Sequence, residues 1–156
     1  MKIKQATIRD VNDLSRLSRV VQQMHVEAYP DIFKSPEGDD YAVSFFTSML
    51  NDPTITIYIA EENEPVGYIF LRVVNREENP FMHSWRMLYV EHISVQPDYQ
   101  GKGVGKALMV HAEKLAEQEG LDQIWLDSWG FNTNAHEFFH AQGYEKFNLR
   151  MWKKIG

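Results

Sequence analysis

The chain has no cysteine, and that one absence removes three chemistries. Without thiols there is no disulfide, no thiolate-bound zinc and no cysteine nucleophile. Proline and glycine are sparse, six and nine of 156 residues, which excludes collagen-like and low-complexity chains rich in those two. No apolar run approaches the roughly 18 residues of a membrane span, so no membrane partner is expected. The opening MKIKQATIRD lacks the apolar core of a secretion signal, and the expected location is the cytoplasm. Positive charge is also in short supply: 16 Lys and Arg against 22 Asp and Glu leave a net charge of −6. That balance disfavours nucleic acid as a partner and mildly favours cationic small molecules or peptides.

What is present suits one globular domain spanning residues 1–156. Hydrophobic residues make up 44% of the chain, and a domain of this length buries about two-thirds of its unfolded surface. Ile3 to Ile8 predicts a first strand, and Asp10 a cap for a helix whose apolar positions are Val11, Leu14, Leu17, Val21 and Met24. Two prolines and a glycine make HVEAYPDIFKSPEGDD a loop. Ala42, Phe45, Phe46, Met49 and Leu50 then keep helical spacing. From Thr54 the period becomes two, and EENEP joins Ile55, Ile57 and Ile59 to VGYIFLRVV as a hairpin. HSWRMLYVEHISV reads as a central strand ended by Pro97, and Val104, Leu108, His111 and Leu115 as the face of a helix that stops at Gly120. QIWLDS predicts a strand, NAHEFFHAQ a short helix ended by Gly143, and YEKFNLRMWKK a final strand or pair of strands. The order β-α-α-β-β-β-α-β-α-β implies a mixed sheet with helices on both faces, a three-layer α/β/α domain.

Two motifs carry chemistry. HEFFHAQGY, His136 to Tyr144, contains H-E-x-x-H, the two-histidine zinc motif of metallopeptidases, with Gly143 where the longer form has its glycine. Lys146 occupies the position of the third histidine, and Glu145 is the only downstream carboxylate side chain, too close to His140 to come from a separate helix. On a helical wheel Ala135, Phe138 and Phe139 share one face with His136 and His140 at its flank, the pattern of a core-packing helix, and no metal is expected. The second motif is ISVQPDYQGKGVGKAL, where a strand enters a helix through a glycine-rich turn. Such a turn gathers unpaired N–H groups and the positive end of the helix dipole, a site for an anionic group. Gln100 and Ala107 break the Walker A pattern, and GKGVGK is not the G-x-G-x-x-G of dinucleotide folds.

The turn does match a third pattern. With Gln100, Gly103 and Gly105 at the positions of [QR]-x-x-G-x-[GA], it resembles the acetyl-coenzyme A signature of the GCN5-related N-acetyltransferases (GNAT). WGFNTNAHEFFHAQGYE is similar to a later element of that family through Asn132, Ala135, Phe139 and Gly143-Tyr144. The resemblance covers nearly the whole chain and implies a GNAT-like acyl-CoA N-acyltransferase fold with acetyl-CoA as acetyl donor. It implies that two strands splay apart and that Ile93, Ser94 and Val95 hydrogen-bond the pantetheine. It further implies that the amides of Gly101, Lys102, Gly103, Val104, Gly105 and Lys106 cradle the pyrophosphate with Gln100, and that Asn132 reaches the cofactor from the other side. Lys102 and Lys106 also read as solvated lysines, and Asn132 as a helix N-cap.

Amine attack on a thioester needs a base, an oxyanion donor and help for the leaving thiolate. Glu91 is the candidate base: alternation along its strand puts it on the face of Ile93 and Val95 and sends His92 to the opposite one. A surface-facing carboxylate is the plain alternative for Glu91, and His92 the neighbouring candidate base. The resemblance gives the oxyanion to a backbone N–H at Val95. Many members carry a tyrosine acid where this chain has Phe139, which cannot donate a proton; Tyr89, a water or unassisted departure are the substitutes. Glu27, Asp31, Glu37, Asp39 and Asp40 in the first inter-helix loop suit a polycationic small-molecule amine or a basic peptide, though a solvated acidic loop explains them equally. A coenzyme A binding or sensing module without catalysis is the alternative function, and the oligomeric state, homodimer included, is left open.

Overall fold

The computed structural model describes residues 1–35 and 40–156. Its elements, in chain order, are β1 (Lys2–Gln5), α1 (Val11–Ala28), α2 (Asp40–Leu50), β2 (Ile55–Glu61), β3 (Pro65–Arg76), β4 (Trp85–Val95), α3 (Val104–Gln118), β5 (Ile124–Leu126) and α4 (Thr133–Ala141). The five strands form one sheet in the order β1-β2-β3-β4-β5. Every neighbouring pair is antiparallel except β4 with β5, which is parallel.

Period-two alternation divides each strand's side chains between two cores. Leu14, Leu17 and Phe46 of α1 and α2 pack on Ile57, Ile59, Tyr68 and Phe70 of one sheet face. Leu108, Met109 and Ala112 of α3, with Phe139 of α4, pack on Ile69, Leu71, Leu88 and Val90 of the other. The expected α/β/α layers are therefore present, with α1 and α2 on one side and α3 and α4 on the other.

Three expectations change. Asp10 does not cap α1 through its side chain; its carboxylate accepts from the Thr7 amide and hydroxyl and from Lys4 at 2.8–3.0 Å, closing a capping box on the short 3-10 turn Ile8–Asp10. α1 runs on to Ala28, so Glu27 is helical rather than part of a loop. Glu37 and Asp39 lie outside the described residues, as does the side chain of Asp40. The final strand does not form: residues 145–156 carry no strand. β5 offers only three residues at the sheet edge, and Phe147 meets it through a tilted ring contact with Trp125 at 4.7 Å rather than through a backbone ladder.

Candidate active site

β4 and β5 pair only over Leu88–Val90 and Ile124–Leu126. β5 ends there while β4 continues to Val95. The strands thus part after Val90, and the edge of Glu91–Val95 that faces β5 is left without a strand partner among the described residues. On its other edge β4 is paired to β3 throughout, from Trp85 opposite Arg76 to Val95 opposite Gly67.

That pairing contains a register break. Phe70 faces His92 but Leu71 faces Val90, which leaves Glu91 as an extra residue in β4. A bulge of this kind resets the alternation. Ile93 and Val95 pack toward α3 with Val90. His92 and Ser94 face α1: the His92 ring meets Phe70, its Nδ1 lies 3.2 Å from the Tyr68 hydroxyl, and Ser94 Oγ donates to the Leu17 carbonyl. Glu91 turns the same way. Its carboxylate accepts from Arg72 Nε at 2.6 Å, and the same guanidinium donates to Asp52 at 3.1 Å and lies against Met49 of α2. Glu91 therefore does not share the face of Ile93 and Val95, and His92 is not opposite it. The extra residue brings carboxylate and imidazole together on the α1–α2 side.

The glycine turn sits where β4 ends. After the 3-10 turn Pro97–Tyr99, Gln100 folds back and its Nε2 donates to the Val95 carbonyl at 3.0 Å. Gly103 is the N-cap of α3 with φ of +85° and without a side-chain cap hydrogen bond, a conformation open to glycine at little cost. The first amides of α3, from Val104 to Lys106, have no intrahelical acceptor and stand at the positive end of the dipole. Gly105 admits α4 closely, since a Cβ there would meet the Phe138 ring at 3.2 Å. Lys102 holds its ammonium over the Tyr99 ring at 5.4 Å, a cation–π contact, and Lys106 is exposed on the first turn of α3. Across the gap, Asn132 caps α4 by accepting from the Ala135 amide at 3.2 Å. These residues fit a phosphate-bearing cofactor in a way that rests on backbone donors and missing Cβ atoms.

Phe139 is buried between Phe138 and Tyr144, at ring distances of 5.2 and 5.8 Å. The Tyr144 hydroxyl is buried without a hydrogen-bond partner among the described residues, and burial, with Glu113 nearby, pushes its pKa up to about 12. Tyr89 donates to Asp127 at 2.6 Å; burial, then that carboxylate, raises its pKa and keeps it protonated.

Some of the site escapes a reading of the sequence. His25, Tyr29 and Phe33, at the end of α1 and just past it, interlock with Trp129 and Phe131 of the β5–α4 connection at ring distances of 5.0–6.2 Å. Burial lowers the His25 pKa. Only Arg72 left a trace in the sequence, as the one charge in the apolar run VGYIFLRVV. A cavity of about 710 Å³ lies at the far end of the sheet near Asn75, Arg86 and Gln123. It is separate from the gap that opens between β4 and β5 beyond Val90.

The glycine turn and the Asn132 to Tyr144 element carry the resemblance drawn from the sequence. The family model of the "Acetyltransferase (GNAT) family" matches residues 19–144. The chain belongs to that family. This GNAT protein is 32% identical over 142 residues to the [Ribosomal protein bS18]-alanine N-acetyltransferase of Escherichia coli K12, covering 90% of this chain and 80% of that one. It is 25% identical to an uncharacterized N-acetyltransferase of Lactobacillus delbrueckii subsp. lactis, over 95% of this chain and 86% of the relative. Among solved structures, the BH1408 protein of Bacillus halodurans superposes with a TM-score of 0.92 at 24% identity, covering 99% of this chain and 100% of that one. The aminoglycoside N-acetyltransferase AAC(6')-Iy in complex with CoA does so with 0.78 at 17% identity, over 99% and 93%. The GNAT protein is an acetyl-CoA-dependent N-acetyltransferase. The zinc-peptidase reading of HEFFH falls with that assignment. In the structure His136 Nε2 lies 3.0 Å from the Trp129 carbonyl, and Phe139 fills the core between the two histidines.

Proposed function

We propose that this acetyltransferase acts on a primary amine carried by a small molecule or a basic peptide, with Glu91 as its general base. The observation that carries the reading is the bulge, which turns Glu91 toward α1 and α2 just where β4 loses its partner strand. Bound acetyl-CoA supplies an activated acetyl group as a thioester. Ile93 and Val95 offer backbone hydrogen bonds along the open edge. Ser94 between them turns its backbone to β3, with the same parity as Gln96, whose amide donates to Val66. The amides from Gly101 to Lys106 hold the pyrophosphate, and Gln100 braces the turn. Asn132 closes the other side while capping α4. Glu91, fixed by Arg72, takes a proton from the incoming amine, directly or through a water, and the Val95 amide serves the oxyanion.

Relatives support an amine without fixing which one. By their names they acetylate a ribosomal protein, aminoglycosides and aminoalkylphosphonates. The test is thiol release from acetyl-CoA with a panel of polyamines, aminoglycosides and basic peptides. Amine-dependent release is expected. Saturable acetyl-CoA binding without it would replace this reading with the sensing module that Phe139 suggests.

A further inference from the structure

His92 sits beside Glu91 on the amine side of the sheet, and its hydrogen bonding decides what it can do there. The Tyr68 hydroxyl, 3.2 Å from His92 Nδ1, belongs to a side chain with no exposure. His92 Nδ1 is the one partner found for that hydroxyl among the described residues. A buried hydroxyl proton must have an acceptor or its desolvation goes uncompensated. Burial raises the pKa of Tyr68, so the phenol keeps its proton and donates it to Nδ1. In a neutral imidazole whose Nδ1 accepts, the ring proton is on Nε2. His92 is partly covered: its ring packs on Phe70 while the residue keeps contact with solvent, and with Nδ1 engaged by Tyr68 it is Nε2 that remains available. No described residue accepts from it.

From this we infer that Tyr68 locks His92 as a neutral Nε2–H donor, so that His92 orients the acceptor substrate and does not act as its base. This deepens the proposed amine acetyl transfer, on which it rests. The charged and titratable groups around the ring are Glu91 on β4, with Arg72 behind it, Tyr68 on β3 and His25 on α1. Burial and His25 lower the His92 pKa and Glu91 opposes them, with a net fall that keeps the ring neutral.

A carboxylate that takes a proton and an imidazole that gives a hydrogen bond make a two-point site. It matches an amine with an oxygen acceptor close by, such as the first carbonyl of a peptide amino terminus or the hydroxyl and ether oxygens of an amino sugar. A polyamine has only N–H donors once protonated and leaves the Nε2–H unmatched, which disfavours it.

The tautomer is read directly by 15N NMR of labelled protein, without substrate. A protonated Nε2 and an unprotonated Nδ1 are expected, with the preference weakened in Tyr68→Phe; a protonated Nδ1 in the parent protein overturns the inference. Kinetics supply the second arm, using a short peptide with a free amino terminus, an aminoglycoside and spermidine. His92→Ala should lower kcat/KM roughly tenfold for whichever oxygen-bearing amine is the substrate, with little effect on spermidine. His92→Gln, which restores an N–H donor, should recover most of the loss. Both variants should keep the acid limb of the pH profile, because the base is elsewhere. An acid limb that moves, or equal losses on all three amines, overturns it. If the parent protein releases no thiol with any amine, the acetyl-transfer reading fails instead, while the NMR result still decides the tautomer.

Discussion

Arg72 is the residue on which the catalytic face turns. Placed in a strand of apolar neighbours, its guanidinium spans Asp52 and Glu91, and hydrogen bonding to Glu91 is the main reason its own pKa is raised. Two carboxylates on one cation leave the cluster with excess negative charge beside the cleft, a favourable setting for an arriving ammonium. Glu91→Gln keeps the size of the side chain and removes the proposed base. It should lower kcat/KM by about 10²- to 10⁴-fold, mostly at low pH where the amine is protonated, with acetyl-CoA affinity nearly unchanged. Steady-state kinetics across pH check this, and full activity at all pH values would remove Glu91 from the mechanism. Asp10 gives a second prediction. Burial opposes its ionisation, but hydrogen bonds from Lys4 and Thr7 outweigh burial and hold it below the ordinary aspartate value. A folded pKa below the unfolded one adds stability that is complete above the unfolded value, near 3.9, and is lost as pH falls through the folded value. Asp10→Asn should therefore cost about 1–2 kcal/mol near neutral pH. Urea unfolding at several pH values should show the difference from the parent protein shrinking below about pH 4.

At the scale of elements, the proposed cofactor turn into α3 is built on backbone geometry rather than side chains. Gly103 has open space where a Cβ would project, so Gly103→Ala brings no clash and isolates the conformational cost of φ at +85°. That cost is about 1–2 kcal/mol. Relaxing it would rotate the amides that precede α3. Gly103→Ala should thus lower thermal stability and raise the KM for acetyl-CoA while kcat changes little, because binding and not the chemical step is disturbed. A fall in kcat with KM unchanged would show that the turn serves the reaction in another way. Strand β4 is the complementary case: its function comes from an irregularity. The inserted Glu91 breaks the period, and the break is what puts Glu91 and His92 on one face.

Across the whole molecule the sheet is a partition between two cores. Ile57 belongs to the α1–α2 side and Leu108 to the α3–α4 side, both almost fully buried and without a packing cluster in common. Ile57→Val should cost about 0.5–1.5 kcal/mol and Leu108→Ala about 2–5 kcal/mol. The double variant should equal their sum within about 0.5 kcal/mol. A larger coupling, measured by denaturant unfolding, would mean that the sheet transmits strain from one core to the other. The cleft opens at the edge of this partition, where β4 and β5 diverge, so each layer contributes to it. α3 presents its N-terminal amides from one side, while α1 and α2 flank Glu91 and His92 on the other.

The layers, the order of the helices and most strands, and the cofactor turn follow from the sequence because each depends on local rules. Hydrophobic period sets the elements, and a glycine turn entering a helix works through its own backbone. The QxxGxG spacing and the Asn132 to Tyr144 element add a resemblance that the family match bears out. Facing along β4 depends on the register of another strand, since the bulge at Glu91 exists only in the pairing with Phe70 and Leu71. The final strand failed for a related reason: an apolar alternation at Phe147, Leu149 and Met151 predicts pairing, but it remains exposed beside a three-residue edge with no further layer to cover it. The contact of Tyr68 with His92, 24 residues apart, and the ring cluster joining α1 to the loop before α4 are likewise set only when distant segments pack. Composition, period and turn chemistry determine which elements form and where the glycine turn enters α3. Tertiary structure decides which side chains meet at the amine, because hydrogen bonds and ring contacts between distant residues leave no period in the chain.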